Sequence, residues 1–143
     1  NGQWDAIDPE ALAEELEGLA RSEKRELEHR LEVLMMHLLK WHYQPQGRRE
    51  SHSWYDTIVE QRNQLARVLR DNPRFRRQGP DILTEVYPAA CRRAIGEMGP
   101  RAIRQQLGPV DPLLRGYPAL PSSCPWTFTQ VLDDDFWPDA PVG

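Results

Sequence analysis

Residues 37–45 read HLLKWHYQP, and this short segment brings several side chains that could do chemistry close together. His37 and Trp41 are four residues apart, so on a helix they share one face. His37 and His42 are five apart, about 140° around a helix, and cannot easily bind one metal ion. A zinc or iron site needs three or four converging ligands. We therefore expect a hydrogen-bonded, partly buried polar corner here, with no metal and no cofactor.

Polar residues also occupy positions where the apolar pattern predicts burial. Glu23 fills a gap in a stripe of leucines, and Gln61 stands where another leucine would be expected. A buried carboxylate is costly unless it is paired, so we predict an ion pair of Glu23 with Arg62, Arg25 or another arginine of the middle segment. A functional acid is the alternative, because perturbed carboxylates also mark sites. The candidates for a polar core or ligand pocket are Glu15, Glu23, His37, Trp41, Gln61 and Arg62.

A second candidate site is basic. Four arginines lie close together in the middle of the chain and could bind phosphate groups; they are Arg70, Arg74, Arg76 and Arg77. The isoelectric point near 5.6 argues against a dedicated nucleic-acid binder. The sequence has no glycine-rich phosphate loop, nucleophile elbow or diagnostic cysteine–histidine spacing. Catalytic residues are therefore unassigned, and enzyme activity stays open.

Charge is distributed unevenly, although the net charge is only −4. Residues 1–47 hold ten acids and five bases, and residues 48–115 hold eight acids and thirteen bases. Residues 116–143 hold four acids and no base. This asymmetry indicates either a charged partner or pairing between parts of the chain.

Apolar residues at spacings of three and four predict the helices that must position these side chains. Asp8 and Pro9 form a helix start, and the stripe then continues to Trp41. We predict one helix over residues 9–43, with a break near Gly18–Ser22 as the alternative. A second helix is predicted over about 53–71.

The third helix is predicted over about 82–98, capped by Asp81 after a break at Gly79-Pro80 and ended by Gly99-Pro100. Residues 101–107 could form a short helix, and residues 108–125 are expected to be irregular. Thr127-x-x-Gln130 is a capping box for a short helix at about 128–133. The expected fold is all-α: one domain over residues 1–143, an up-and-down bundle of three long helices plus short C-terminal helices.

Other features bound the class of protein. The sequence has no run of eighteen apolar residues, so we expect no membrane helix. Its two cysteines, Cys91 and Cys124, are predicted to be free thiols in a reducing cytoplasm. The chain begins at Asn1 rather than methionine, which leaves a preceding segment open.

Four segments in order resemble one family: LAEELEGLARSEKRELEHRL, HLLKWHYQP, SHSWYDTIVEQR and SSCPWTFTQVLDDDFWP. The family is the bacterial domain of unknown function numbered twenty-nine. The resemblance implies an all-helical, prokaryotic, intracellular protein and brings no activity. It also implies an aspartate- and tryptophan-containing segment before the start of this chain, and a shorter linker than residues 100–120. The matched residues are Glu14, Glu15, Glu23, His37, Trp41, Pro45, Trp54, Gln61, Arg62, Cys124, Pro125, Phe136 and Trp137.

Three functions remain open from the sequence. The first is an interaction or regulatory module that binds a protein partner or a second copy of itself. The second is an enzyme or metal-binding protein with a polar pocket in the bundle. The third, which the acidic composition disfavours, is a nucleic-acid-associated factor that uses the arginine-rich segment.

Overall fold

A computed structural model describes residues 8–44, 52–98 and 120–138. These ranges contain four helices and no strand. We label them α1 (Pro9–Tyr43), α2 (His52–Asp71), α3 (Arg74–Met98) and α4 (Phe128–Leu132). The predicted all-α class, with three long helices and a short C-terminal one, is confirmed.

Helix α1 is a single helix of 35 residues, as predicted. The side chain of Asp8 accepts a hydrogen bond from the backbone N–H of Glu10, and Pro9 occupies the first turn, where its missing N–H costs nothing. At the other end the backbone N–H of Gln44 donates to the carbonyl of Lys40. The register of apolar residues passes through Gly18 without a break, and the helix follows that register.

The three long helices alternate in direction. Helix α2 runs antiparallel to α1, because Arg67 near its end pairs with Glu26, whereas Trp54 near its start lies under Lys40. Helix α3 runs in the same direction as α1, because Arg93 pairs with Glu32 and the following turn of α3 pairs with Lys40. Their apolar faces bury a core that includes Leu27, Leu31, Leu34, Leu38, Ile58, Leu65, Val68, Ile82, Val86, Ala90 and Ala94.

The predicted break at Gly79-Pro80 is wrong. Helix α3 begins at Arg74 and passes through both residues, so Asp81 lies inside the helix and does not cap it. Phe75 and Ile82 are seven residues apart, so they share one face of α3, and both are buried in the core. A continuous helix keeps both on that face, and their burial outweighs the hydrogen bond that Pro80 cannot donate. Gly79 is buried at the point where the ring of Phe128 crosses the helix.

The C-terminal segment lies across the bundle. Residues 120–127 contain no regular secondary structure, and the predicted capping box then starts α4. Thr127 and Gln130 exchange the two expected hydrogen bonds, of 3.1 and 2.9 Å. The predictions for residues 45–47 and 99–119 lie outside the described residues. Among the helices described, none is both long enough and apolar enough to cross a lipid bilayer.

Candidate functional site

The most deeply buried charge of the described residues is the guanidinium of Arg62, on the inner face of α2. Only 2% of this residue is exposed. Its Nε donates to the carbonyl of Val131 at 2.9 Å, and its Nη2 donates to the carbonyl of Phe136 at 2.7 Å. Burial lowers the pKa of Arg62 from its ordinary value, while Asp133 and Asp134 act in the opposite direction. Arg62 therefore holds the C-terminal segment against the bundle.

Aromatic rings cover this contact. The ring of Trp137 lies 5.2 Å from the guanidinium carbon of Arg62. Its centroid is 4.6 Å from that of Trp41 and 5.0 Å from that of Tyr55, onto which it stacks. Trp126 reaches the ring of Phe136 at 6.1 Å from the same segment. These ring contacts hold the segment around Trp137 against the junction of α1 and α2.

His37 lies elsewhere, between α1 and α3. Its Nδ1 donates to the carbonyl of Val33 at 2.8 Å, which is a bond within its own helix. Burial lowers the pKa of His37, and Lys40 and Arg93 lower it further, whereas Glu97 opposes them. The nearby Lys40 is itself buried and pairs with Glu97 at 2.6 Å. A hydrogen bond from Lys40 holds the pKa of Glu97 below its usual range.

Among the described residues, Glu23 forms no ion pair with an arginine, so the predicted pairing with Arg62 or Arg25 is wrong. Glu23 accepts a hydrogen bond from the side-chain amide of Asn72 at 3.2 Å, at the end of α2. Arg62 lies ten residues earlier on α2, almost three turns away, and is occupied by backbone carbonyls of the C-terminal segment. Gln61 accepts instead from Arg30 at 3.3 Å. Glu15 is exposed on the first half of α1.

The six candidate residues therefore fall into separate places. Trp41 and Arg62 both contact the ring of Trp137. Glu23, His37 and Gln61 each bond a different neighbour, and these contacts join α1 to α2 or stay within α1. Glu23, Gln61 and Arg62 thus each make a contact between different parts of the bundle, and the structure does not assemble the six into one pocket.

The four candidate arginines are all exposed around the turn between α2 and α3. They do not face one way. Arg74 lines a cavity with Glu23 on the α1 side, whereas Arg76 lines a cavity with Arg62 on the α4 side. The patch is therefore divided between two sides of the bundle.

A family model described as "Domain of unknown function DUF29" matches residues 1–137. The chain belongs to this family. The resemblance carried by its four ordered segments is thereby confirmed, and DUF29 brings no activity to the site. No curated protein and no solved structure matches the chain.

One feature of this DUF29 chain was not predicted. The apolar stripe of α1 starts with Leu12, Leu16 and Leu19 and predicts their burial, but they are 48%, 59% and 59% exposed. They form what we call the leucine face, on the part of α1 that precedes the contact between Glu23 and Asn72. Helix α1 has 35 residues and α2 has 20, so part of α1 extends past its neighbour. The unequal helix lengths, and the acids crowded around these leucines, were the available signals.

The remaining chemistry-bearing groups are thiols. Cys91 and Cys124 are free, as predicted, and both are partly buried. Burial raises the pKa of both thiols, and the Sγ of Cys124 donates to the carbonyl of Trp126 at 3.2 Å. Because the thiolate is the nucleophilic form, thiols with raised pKa values are poor nucleophiles at neutral pH. Within residues 8–44, 52–98 and 120–138, no group of three or more His, Cys, Asp or Glu side chains is placed to hold a metal ion.

Proposed function

We propose that this protein is an interaction module, and that its docking surface is the leucine face of α1. The observation that carries the proposal is the exposure of Leu12, Leu16 and Leu19, each about half or more accessible on an ordered helix. Scattered apolar residues are normal on surfaces, but a contiguous row is typical of an interaction site.

The leucine face has the geometry of a helix-pairing seam. Its leucines are spaced by four and then three residues, which is the a/d spacing of helices that pack side by side. Residues 9–22 of α1 span about 20 Å, at 1.5 Å of rise per residue. At its base, Leu16 and Leu19 open into a cavity of about 290 Å³ that Asn72 and Arg74 also line. A partner helix could therefore continue the packing that α2 provides further along α1.

Charge indicates what kind of helix would dock. Residues 8–20 carry five acids, namely Asp8, Glu10, Glu14, Glu15 and Glu17, and no base. All five are exposed. A second copy of the same face would bring like charges together, which is unfavourable. The favoured partner is a different protein that offers an amphipathic helix with leucines on one face and lysines or arginines beside them.

Site-specific photocrosslinking tests this proposal in cells that make the whole protein. A benzoyl-phenylalanine in place of Leu16 should give a defined adduct with a second protein. The same adduct should form again when the two purified proteins are mixed and irradiated. The matched control places the same group at Glu85, which is exposed on α3. Adducts only within one polypeptide, only between two copies, or equally from Glu85 would refute the proposal.

A peptide measurement tests the stated chemistry directly. A synthetic helix with leucines at the same spacing and flanking lysines should bind the protein, and Leu16→Glu should weaken binding at least tenfold, because a charge then enters the seam. The same peptide with flanking glutamates is the control. If both peptides bind equally well in fluorescence anisotropy, the proposal that the partner helix is basic is refuted.

We also propose that the protein is bacterial and cytoplasmic. The free thiols Cys91 and Cys124 support this placement, because reducing compartments keep thiols unpaired. Fractionation of cells that make the untagged protein would test it, and recovery in an extracellular or envelope fraction would contradict it.

A further inference from the structure

A cavity opens at the base of the leucine face, beside the end of α2. Its volume is about 290 Å³. Since one water molecule occupies about 30 Å³ of liquid, the space corresponds to roughly ten water molecules. Its apolar wall comes from Leu16, Leu19 and Ala20 of α1. Its polar lining comes from Glu23, Asp71, Asn72 and Arg74. An apolar wall with a polar end suits a side chain that has a long aliphatic stem and a charged head.

The hydrogen-bond acceptors at the polar end are only partly used. The carboxylate of Glu23 accepts one hydrogen bond, from the side-chain amide of Asn72, and forms no ion pair among the described residues. The same amide nitrogen donates to the carbonyl of Val68 at 3.0 Å. The carboxylate of Asp71 is more than half exposed and lies 3.9 Å from Arg67, a long distance for an ion pair. Both carboxylates can therefore accept further hydrogen bonds from a donor that enters the cavity.

The lining is acidic although it includes one arginine. Glu23 and Asp71 carry two negative charges, and Arg74 carries one positive charge. The guanidinium carbon of Arg74 lies 5.2 Å from the centroid of the Phe75 ring, which is a cation–π contact. Within the described part of the chain Arg74 forms no ion pair with either acid. The five acids of residues 8–20 precede the cavity on α1 and add to its negative potential. The charge therefore favours a cation.

We propose that an arginine of the partner helix enters this cavity and anchors that helix, an inference that rests on the docking function proposed above. Its aliphatic stem packs on Leu16 and Leu19, and its guanidinium donates to the carboxylates of Glu23 and Asp71. Glu23 belongs to α1 and Asp71 ends α2, so one side chain ties the partner to both helices. Arginine suits this position better than lysine, because its planar head directs several N–H groups from a fixed fork at two separate acceptors.

The test compares synthetic helices that differ in one side chain. Each has the leucine spacing and flanking lysines of the peptide described above, with arginine or citrulline one turn beyond its last leucine. A second pair carries the same two residues one turn before the first leucine, so that both docking directions are covered. Citrulline keeps nearly the shape of arginine but has no charge. One arginine helix should bind about tenfold more tightly than its citrulline counterpart, as expected for a close and partly desolvated charge pair.

Glu23→Gln should reduce this preference for arginine at least about threefold, because the amide cannot pair with the charge. Glutamine can still accept the hydrogen bond from Asn72, so the substitution should leave the fold intact. Glu17→Gln is the matched control, because Glu17 is an exposed acid of the same helix that does not line the cavity. It should weaken the arginine and citrulline helices by the same factor and leave the preference unchanged.

The outcomes separate this inference from the docking function. If the helices bind and neither arginine is preferred, the anchor is refuted and the docking surface stands. Loss of the preference in Glu17→Gln to the same extent as in Glu23→Gln would also refute the anchor, because general attraction to an acidic helix would then account for it. If none of the four helices binds, the docking function fails and the anchor fails with it.

Discussion

Replacing Arg62 by methionine measures how strongly the C-terminal segment is held. Arg62→Met keeps an unbranched apolar stem in a site that is 98% inaccessible, but removes the donors to the carbonyls of Val131 and Phe136. A hydrogen bond from a charged donor contributes about 1.5–3 kcal/mol, so the two together contribute roughly 3–6 kcal/mol. Relief from burying the charge offsets part of this. We expect a net loss of about 2–4 kcal/mol in the free energy of unfolding.

Urea denaturation followed by tryptophan fluorescence is a suitable assay, because Trp137 lies over the guanidinium. For a chain of this length the loss corresponds to a melting temperature lower by about 5–15 °C. Arg70→Met is the control, since Arg70 is exposed on the same helix and should change stability by no more than about 0.5 kcal/mol. If the two variants differ by less than about 0.5 kcal/mol, desolvation of the charge cancels its hydrogen bonds and Arg62 does not stabilise the closed segment.

Three further predictions concern packing, pairing and pH. Gly79→Ala should lower the free energy of unfolding by about 1–3 kcal/mol, because the added methyl group would overlap the ring of Phe128 in α4. Gly96→Ala, whose methyl group meets nothing within 4 Å, should raise it by about 0.5–1 kcal/mol. Equal effects of the two variants in thermal denaturation would contradict this packing. A double-mutant cycle of Glu23→Ala and Asn72→Ala should show coupling near 0.5 kcal/mol, and additivity would argue against the hydrogen bond. Burial lowers the pKa of His37, so its contribution to stability is complete above the unfolded-state pKa of about 6.5 and is lost as the pH falls below that value. In His37→Gln the urea midpoint should therefore depend less on pH between about pH 8 and pH 5. An unchanged dependence of the midpoint on pH would refute this.

The helices could be predicted wherever one local pattern agreed with the packing. Helix α1 follows an unbroken apolar register from its capping Asp8, so its length was readable. The sequence predicts too late a start for helix α3, because Gly79-Pro80 is a strong local signal for a turn. The force that overrides it is the burial of Phe75 and Ile82 on one face of the same helix, and burial depends on residues distant in sequence.

The candidate site could be predicted only by residue type. The interruption of the apolar pattern is at Gln61, and Arg62 is a candidate from the sequence only as a proposed partner of Glu23, yet Arg62 is the residue that is buried. Its acceptors are backbone carbonyls, which every residue carries, so no sequence signal distinguishes Val131 or Phe136 as its partners. For the leucine face, the sequence predicts the apolar residues but not their exposure. Periodicity identifies an apolar stripe on α1 but does not say which neighbour, if any, covers Leu16.

The bonds made by Arg62 also set an order of events during synthesis. Its two acceptors lie 69 and 74 residues later in the chain. At about 5–20 residues per second, a ribosome needs roughly 3–15 s to make that intervening length. Helices α1 and α2 can pair within this interval, but the guanidinium between them then still has water as its partner. The growing chain therefore passes through a state whose central charge is hydrated, and that state becomes the native one only when the segment with Val131 and Phe136 has been made.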